Sequence, residues 1–189
     1  CDISVGEMVS AYTTFPNKGI RVAPMFVTRI EDNEGNVLAT FSPDMQEVIS
    51  TNSAYKMIHM MRGVVNGGTG SSIRRLGVTA DAARKTGTTN DNSDGWFIGY
   101  TPTLVSGAWV GGDEYDIHFD SMAYGQGARM ALPIWAGYMK NVLADENLPY
   151  DAEDKFEFPK GYDPCMEEGL EEEIVIETIA QEGIDNLFE

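Results

Sequence analysis

Three short segments separated by tight loops limit the fold of this 189-residue chain more than any other feature. Residues 84–89 read Arg-Lys-Thr-Gly-Thr-Thr, residues 95–100 read Gly-Trp-Phe-Ile-Gly-Tyr, and residues 104–111 read Leu-Val-Ser-Gly-Ala-Trp-Val-Gly. The last two are rich in the aromatic and β-branched residues that suit a pleated surface. The first is only weakly apolar. A short loop at residues 90–93 and the pair Thr101-Pro102 join them, which predicts an antiparallel meander.

Helical patterns lie on both sides of the meander. Ser4 is a predicted N-cap, with Glu7 completing a capping box, and Val5, Met8, Val9 and Tyr12 recur at helical spacing until Pro16-Asn17-Lys18-Gly19. A strand is predicted at residues 25–30, a turn at 33–36 and a hairpin partner at 37–41. A second helix is predicted over about residues 51–65, with Ala54, Met57, Ile58, Met61 and Val65 on one face and Asn66-Gly67-Gly68-Thr69-Gly70 ending it. A last helix is predicted over residues 131–139, with Pro133 in its first turn. Helices around an antiparallel sheet make the fold class α+β.

Charge divides the chain in two. Residues 1–144 hold 11 basic and 14 acidic side chains, a net of −3, whereas residues 145–189 hold 2 and 16, a net of −14. The expected organisation is a globular body at 1–144 and an acidic C-terminal extension at 145–189, relieved only by Ile174-Val175-Ile176 and of a composition compatible with partial disorder. The body is long enough for one sizeable core. No basic patch is available to neutralise phosphates, so nucleic acid is not an expected partner. No apolar run reaches the length of about 18 residues that a membrane-spanning helix needs. Cys1 and Cys165 permit one disulfide without arguing for it. The opening Cys1-Asp2-Ile3-Ser4, without an initiator Met, reads as part of something longer.

The segment with the most chemistry is Lys85-Thr86-Gly87-Thr88. On a strand, Thr86 and Thr88 are two apart and put both hydroxyls on one face. Gly87 admits a ligand backbone that pairs with the strand's own N–H and C=O groups. A lysine and two hydroxyls suit a carboxylate. The tetrad by itself is equally compatible with a polar strand end.

Lys85-Thr86-Gly87-Thr88-Thr89-Asn90-Asp91 resembles the third motif of the penicillin-binding transpeptidases. It is followed, as in those proteins, by residues 94–102 and by Gly107-Ala108-Trp109-Val110-Gly111. Upstream, Glu7-Met8-Val9-Ser10-Ala11-Tyr12 and Phe15-Pro16-Asn17-Lys18-Gly19 resemble a further block of the family, as do Ala54-Tyr55, residues 63–70 and Ala131-Leu132-Pro133-Ile134-Trp135. The likeness spans about residues 1–144 and is strongest to the class A, bifunctional, penicillin-binding protein 1A type.

This resemblance implies a sheet flanked by helices, incomplete here, from a peptidoglycan D,D-transpeptidase that acylates its own serine and binds β-lactams. Lys85 would act on electrostatics and proton traffic, Thr86, Gly87, Thr88 and Thr89 would bind the carboxylate end of a stem peptide, and the backbone N–H of Thr88 would donate to the oxyanion. It implies no metal and no cofactor. The implied parent carries a glycosyltransferase domain and a membrane anchor and works on the outer face of the cytoplasmic membrane. Its partners are stem peptides, β-lactams, the N-terminal part of the same polypeptide and other cell-wall synthesis proteins.

The sequence departs from the family pattern at its nucleophile. Ser53-Ala54-Tyr55-Lys56 and Ser50-Thr51-Asn52 match the first two motifs literally but are adjacent and in the wrong order, and only 32 residues separate Ser53 from Lys85. They are read as decoys, which places the true motifs N-terminal of Cys1 and makes the piece inactive alone. His59 is read as a packed or half-exposed helix residue, and His118 with Asp113, Glu114, Asp116 and Asp120 as an exposed acidic loop lacking ligand spacing. Met60 and Met61 are read as core. Trp96, Phe97, Trp109 and Trp135 are expected to pack the sheet against the last helix. Arg74, Arg75 and Arg84 either attract an acidic peptide or balance the surface. Two other functions stay open: a non-catalytic cell-wall scaffold of the same fold, and a serine β-lactamase, against which the acidic extension and class A-like blocks argue.

Overall fold

In the computed structural model, residues 3–67, 72–114 and 116–165 are described, with the side chains of residues 64–67 excepted. The chain forms two compact units, Cys1–Glu157 and Phe158–Glu189.

The centre of the first unit is the predicted meander. Strands β5 (Ala83–Thr88), β6 (Asp94–Tyr100) and β7 (Val105–Gly111) pair antiparallel in the order β5-β6-β7. Thr86 lies opposite Phe97, and Phe97 opposite Ala108. Alternation along β6 decides what each face meets. Phe97 faces helix α5 (Gly127–Ala144), its ring 4.8 Å from that of Trp135. Ile73, Val78, Leu132, Trp135 and Met139 close the core on this side, all essentially inaccessible. Ile98 and Tyr100 point the other way. There they meet α1 (Val5–Tyr12) and α2 (Thr51–Gly67): a side chain at Gly107 would run into Ile98 and Val9, and Tyr100 Oη donates to Met61 Sδ at 3.5 Å. The result is a helix–sheet–helix sandwich of α+β class, as expected.

Helix α1 starts as the sequence predicts. Ser4 Oγ accepts from the Glu7 N–H at 3.2 Å, and Glu7 Oε2 accepts from the Ser4 N–H at 2.8 Å. These reciprocal bonds hold the Glu7 carboxyl below its ordinary pKa, the Ser4 hydroxyl contributing most. In α2, Ala54, Ile58 and Met61 are buried, Met57 is half-buried, and Val65 falls outside the described side chains. The predicted helix end at residues 66–70 lies partly outside the described residues. Met60 is exposed, contrary to its reading as core, because the residue before Met61 on a helix points some 100° away from it.

The helix after the meander differs more from expectation. It begins at Gly127 rather than near residue 131, so Pro133 sits inside it and not in its first turn. Gly127 is required by proximity: a Cβ there would collide with the carbonyls of Gly87 and Trp96. Burial of Ala131, Leu132, Trp135 and Ala136 offsets the hydrogen bond that Pro133 removes.

The hairpin predicted at 25–41 exists but is shorter and shifted, pairing β2 (Arg29–Glu31) with β3 (Val37–Thr40) around a bulge at Ile30 and Glu31. Phe26 is 93% exposed, so this apolar run reflects no core position. Two further strands, β1 (Ile20–Val22) and β4 (Met45–Glu47), pair antiparallel across the hairpin. Neither is visible as an apolar alternation. Short helices α3 (Ser72–Arg75) and α4 (Met122–Gly125) complete the unit.

The first unit runs past the expected body to Glu157. Within that stretch the Phe156 ring packs edge-on to Tyr100 at 5.8 Å and under the Arg62 guanidinium at 5.7 Å, while its N–H donates to Asp81 Oδ2 at 3.2 Å. In the second unit, the rings of Phe158 and Tyr162 stack 5.1 Å apart and Asp163 Oδ1 accepts from the Cys165 N–H at 2.8 Å. Cys1 and Ile174-Val175-Ile176 lie outside the described residues.

Candidate active site

Lys85, Thr86, Gly87 and Thr88 are the last four of the six residues of β5, an edge of the three-stranded sheet. Ladder geometry determines where their backbones point. The Thr89 N–H donates to the Asp94 carbonyl at 3.1 Å, making that rung a hydrogen-bonded one. Rungs alternate in an antiparallel pair, so the backbone groups of Thr86 and Thr88 turn away from β6 toward the open edge. A peptide laid along this edge meets an N–H and a C=O from each threonine.

The side chains divide between the two faces of β5. Thr86 and Thr88, opposite Phe97 and Gly95, share the α5 face, as their spacing predicts. Thr88 Oγ1 accepts from the Gly127 N–H at 3.1 Å, which leaves its own proton to donate. Lys85 belongs to the other face, yet its ammonium bends back to the strand edge and donates to the Thr86 carbonyl at 2.6 Å. Lysine and threonines thus meet at the edge, not on a common face. Gly87 lies opposite Trp96 and against its Cβ. Thr89 begins the turn into β6: its Oγ1 accepts from the Asp94 N–H at 2.8 Å and lies 3.1 Å from Ser93 Oγ. Asp91 and Asn92 take φ of 59° and 60° to complete this turn, a conformation that Asn and Asp tolerate better than most residues.

Several other candidates are placed differently from their readings. Arg84 is neither a surface charge nor a peptide attractor. It is fully buried on the α5 face with its guanidinium 5.4 Å from the Phe97 ring, and none of its three side-chain nitrogens has a hydrogen-bond partner among the described residues. Burial draws its pKa down. Arg74 Nη1 is used internally, donating to the carbonyls of Thr79 and of Ala80, the latter at 3.1 Å. Trp96 and Trp109 do not pack the sheet against α5. They lie opposite one another on the face that Phe97 does not use, as adjacency in a strand requires. Trp109 is 39% exposed and its Nε1 donates to Asp94 Oδ1 at 2.9 Å.

Ser50 immediately precedes α2, its Oγ accepting from the Ser53 N–H at 3.1 Å, and Ser53 lies in the first helical turn. His59 and His118 are exposed, as are Asp113, Glu114, Asp116 and Asp120. Among the described residues no three or more His, Cys, Asp or Glu side chains converge on a common point.

The motif edge, the capped α1 and the whole three-stranded meander are contained in one match: residues 1–128 fit the penicillin binding protein transpeptidase domain. The chain belongs to this transpeptidase-domain family. Within it the likeness is to the class A, penicillin-binding protein 1A type. The chain is 39% identical over 137 residues to penicillin-binding protein 1A of Aquifex aeolicus, and 37% identical over 142 residues to that of Neisseria lactamica. Each alignment covers 72% of this chain but only 18% and 17% of those proteins, so the chain spans less than a fifth of the curated relatives' length. Among solved structures it resembles penicillin-binding protein 1A from Haemophilus influenzae, with TM-score 0.72 and 26% identity over 83% of this chain and 28% of that one. It also resembles the Mycobacterium tuberculosis PonA1 protein in complex with penicillin V, with TM-score 0.66 and 28% identity over 82% of this chain and 41% of the other. The penicillin-binding protein fold is therefore present here in part.

Proposed function

We propose that this chain is the C-terminal part of the transpeptidase domain of a bifunctional class A penicillin-binding protein, and that β5 is the wall of its active-site cleft. The observation that carries the reading is the outward turn of the Thr86 and Thr88 backbone at an open strand edge, beside the Lys85 ammonium.

The chemistry follows from these groups. A D-Ala-D-Ala stem peptide lies along β5, its terminal carboxylate accepting from the Thr86 and Thr88 hydroxyls, whereas the Thr89 hydroxyl is held in the turn by Asp94 and Ser93. The carbonyl under attack points its oxygen at the Thr88 N–H, one of two oxyanion donors. A serine from the N-terminal part of the domain attacks that carbonyl, the C–N bond breaks, and the terminal D-Ala leaves with the serine's proton. An amine of a neighbouring strand then displaces the serine, forming the cross-link and restoring the hydroxyl. Lys85 supplies positive charge beside these proton transfers. The whole protein would carry a glycosyltransferase domain and an anchor and act on the outer face of the cytoplasmic membrane. No described helix of this chain is long and apolar enough to cross one.

A fluorescent penicillin tests the reading. The 189-residue chain alone stays unlabelled, whereas the protein extended upstream through its Ser-x-x-Lys motif is labelled at that serine, and Thr88→Pro, which removes the N–H, abolishes labelling. Labelling at Ser53 or any serine of this chain overturns the division of the site. An extended protein that folds but never labels supports the scaffold alternative.

A further inference from the structure

A second cleft opens at the turn end of β5. It has a volume of about 670 Å³ and lies between the start of α1, the 89–94 turn and residues 112–114 after β7. Its apolar lining comprises Ile3, Val5 and the indoles of Trp96 and Trp109, whose centroids are 6.4 Å apart and whose planes meet at 55°, so that the rings form an open corner. Trp96 is half-buried and Trp109 is 39% exposed, so each turns part of its ring into the cleft, and the Trp109 ring is held in orientation by its Nε1 bond to Asp94 Oδ1. Asp94 is occupied within the wall, since its other oxygen lies 3.3 Å from Thr89 Oγ1. Two further carboxylates at the rim, Asp113 and Glu114, are exposed and make no side-chain hydrogen bond or ion pair among the described residues. Among the described residues, no lysine, arginine or histidine lines the cleft.

An indole corner attracts a cation through the rings' negative faces, and a rim with two carboxylates and no balancing base adds to that attraction. The same rim repels a carboxylate. We propose that this cleft binds the alkylammonium group of a peptide side chain, with Trp96 and Trp109 on its methylenes and charge, and Asp113 and Glu114 at its N–H donors. Thr89, which lines this cleft, directly follows Thr88 at the end of the strand edge that presents Lys85 to Thr88. The carboxylate-binding edge and the ammonium-binding cleft are therefore adjacent, which suits a ligand with both charges. That this ligand is a stem peptide carrying a free amine rests on the proposed transpeptidase reading; alkylammonium binding does not.

Tryptophan emission of the 189-residue chain reads the binding directly, because Trp135 is buried and supplies a constant background. The probes are N-acetyl-lysine N-methylamide, its neutral analogue N-acetyl-norleucine N-methylamide, and chitobiose. A saturable change with the lysine probe only, weakened about threefold or more by Asp113→Asn with Glu114→Gln and by added salt, supports the proposal. An equal response to the norleucine probe, stronger binding of chitobiose, or no saturable response to lysine overturns it. The lysine–norleucine comparison needs no variant and stands even where the double substitution misfolds. Failure of penicillin labelling in the extended protein, with lysine binding intact, removes the stem-peptide identification and leaves the cation site.

Discussion

Arg84 and Tyr100 show how far single residues depart from what their type suggests. The Arg84 guanidinium is buried beside Phe97 with no acceptor for its N–H groups among the described residues. An unpaired buried donor costs about 1–3 kcal/mol, more than one cation–π contact of about 0.5–2 kcal/mol returns. Arg84→Met keeps the length and removes the orphan donors, so it should raise the urea midpoint, by the equivalent of about 1 kcal/mol. A clear loss would reveal an acceptor for the guanidinium. Tyr100 is wholly buried, and burial pushes its phenol well above the ordinary value. A raised folded pKa means the neutral phenol is favoured by the fold. That stability is fully present below the unfolded value near 10 and is lost as pH rises toward the folded one. Melting temperature should therefore fall from about pH 10 upward, and Tyr100→Phe should flatten the decline. The motif threonines were readable from spacing alone, because alternation with period two needs no tertiary information. Arg84 was not: its charge argues for the surface, and only the helix laid over the sheet buries it.

At the scale of elements, α5 matters most. It covers β6 and β7, and Trp135 fills the space over Gly99, where a Cβ would strike the indole. Trp135→Ala should cost about 3–5 kcal/mol in chemical denaturation, the range for an aromatic deleted from a packed core. The segment ending at Glu157 has a smaller role. Phe156 touches Tyr100 and Arg62 at the rim of the core, so Phe156→Ala should lower the midpoint by about 1 kcal/mol and make residues 151–157 more open to protease. The start of helix α1 was legible to the residue because a capping box is a local device, while its end at Tyr12 falls before the Pro16-Asn17-Lys18-Gly19 stop signal. Helix α5 was misplaced at its start because Gly127 is dictated by the strands beneath it. The β1–β4 pair was missed for a related reason: three-residue strands carry too little alternation, and their pairing is set by contacts about 25 residues apart in sequence.

For the molecule as a whole, charge distribution is the dominant long-range property. A net charge of −17 opposes compaction, and most of it lies beyond residue 144. Raising ionic strength from about 0.01 M to 0.5 M should increase the melting temperature of the whole chain, since the Debye length shrinks from about 30 Å to below 8 Å. A chain lacking residues 158–189 loses 10 acidic side chains and one lysine and should show a weaker salt dependence. An unchanged dependence would place the repulsion within the body.

The α+β class, the meander and the family motif were determined by the sequence, because each rests on local pattern: period two, period 3.6, caps and turns. Tertiary structure decided which face each pattern serves. It placed Phe97 beneath α5 and its neighbour Trp96 on the wall of a cleft, aimed the Thr86 and Thr88 backbones at an open edge, and buried the charge of Arg84. Adjacent residues on a strand point to opposite sides, and only packing tells which side is covered.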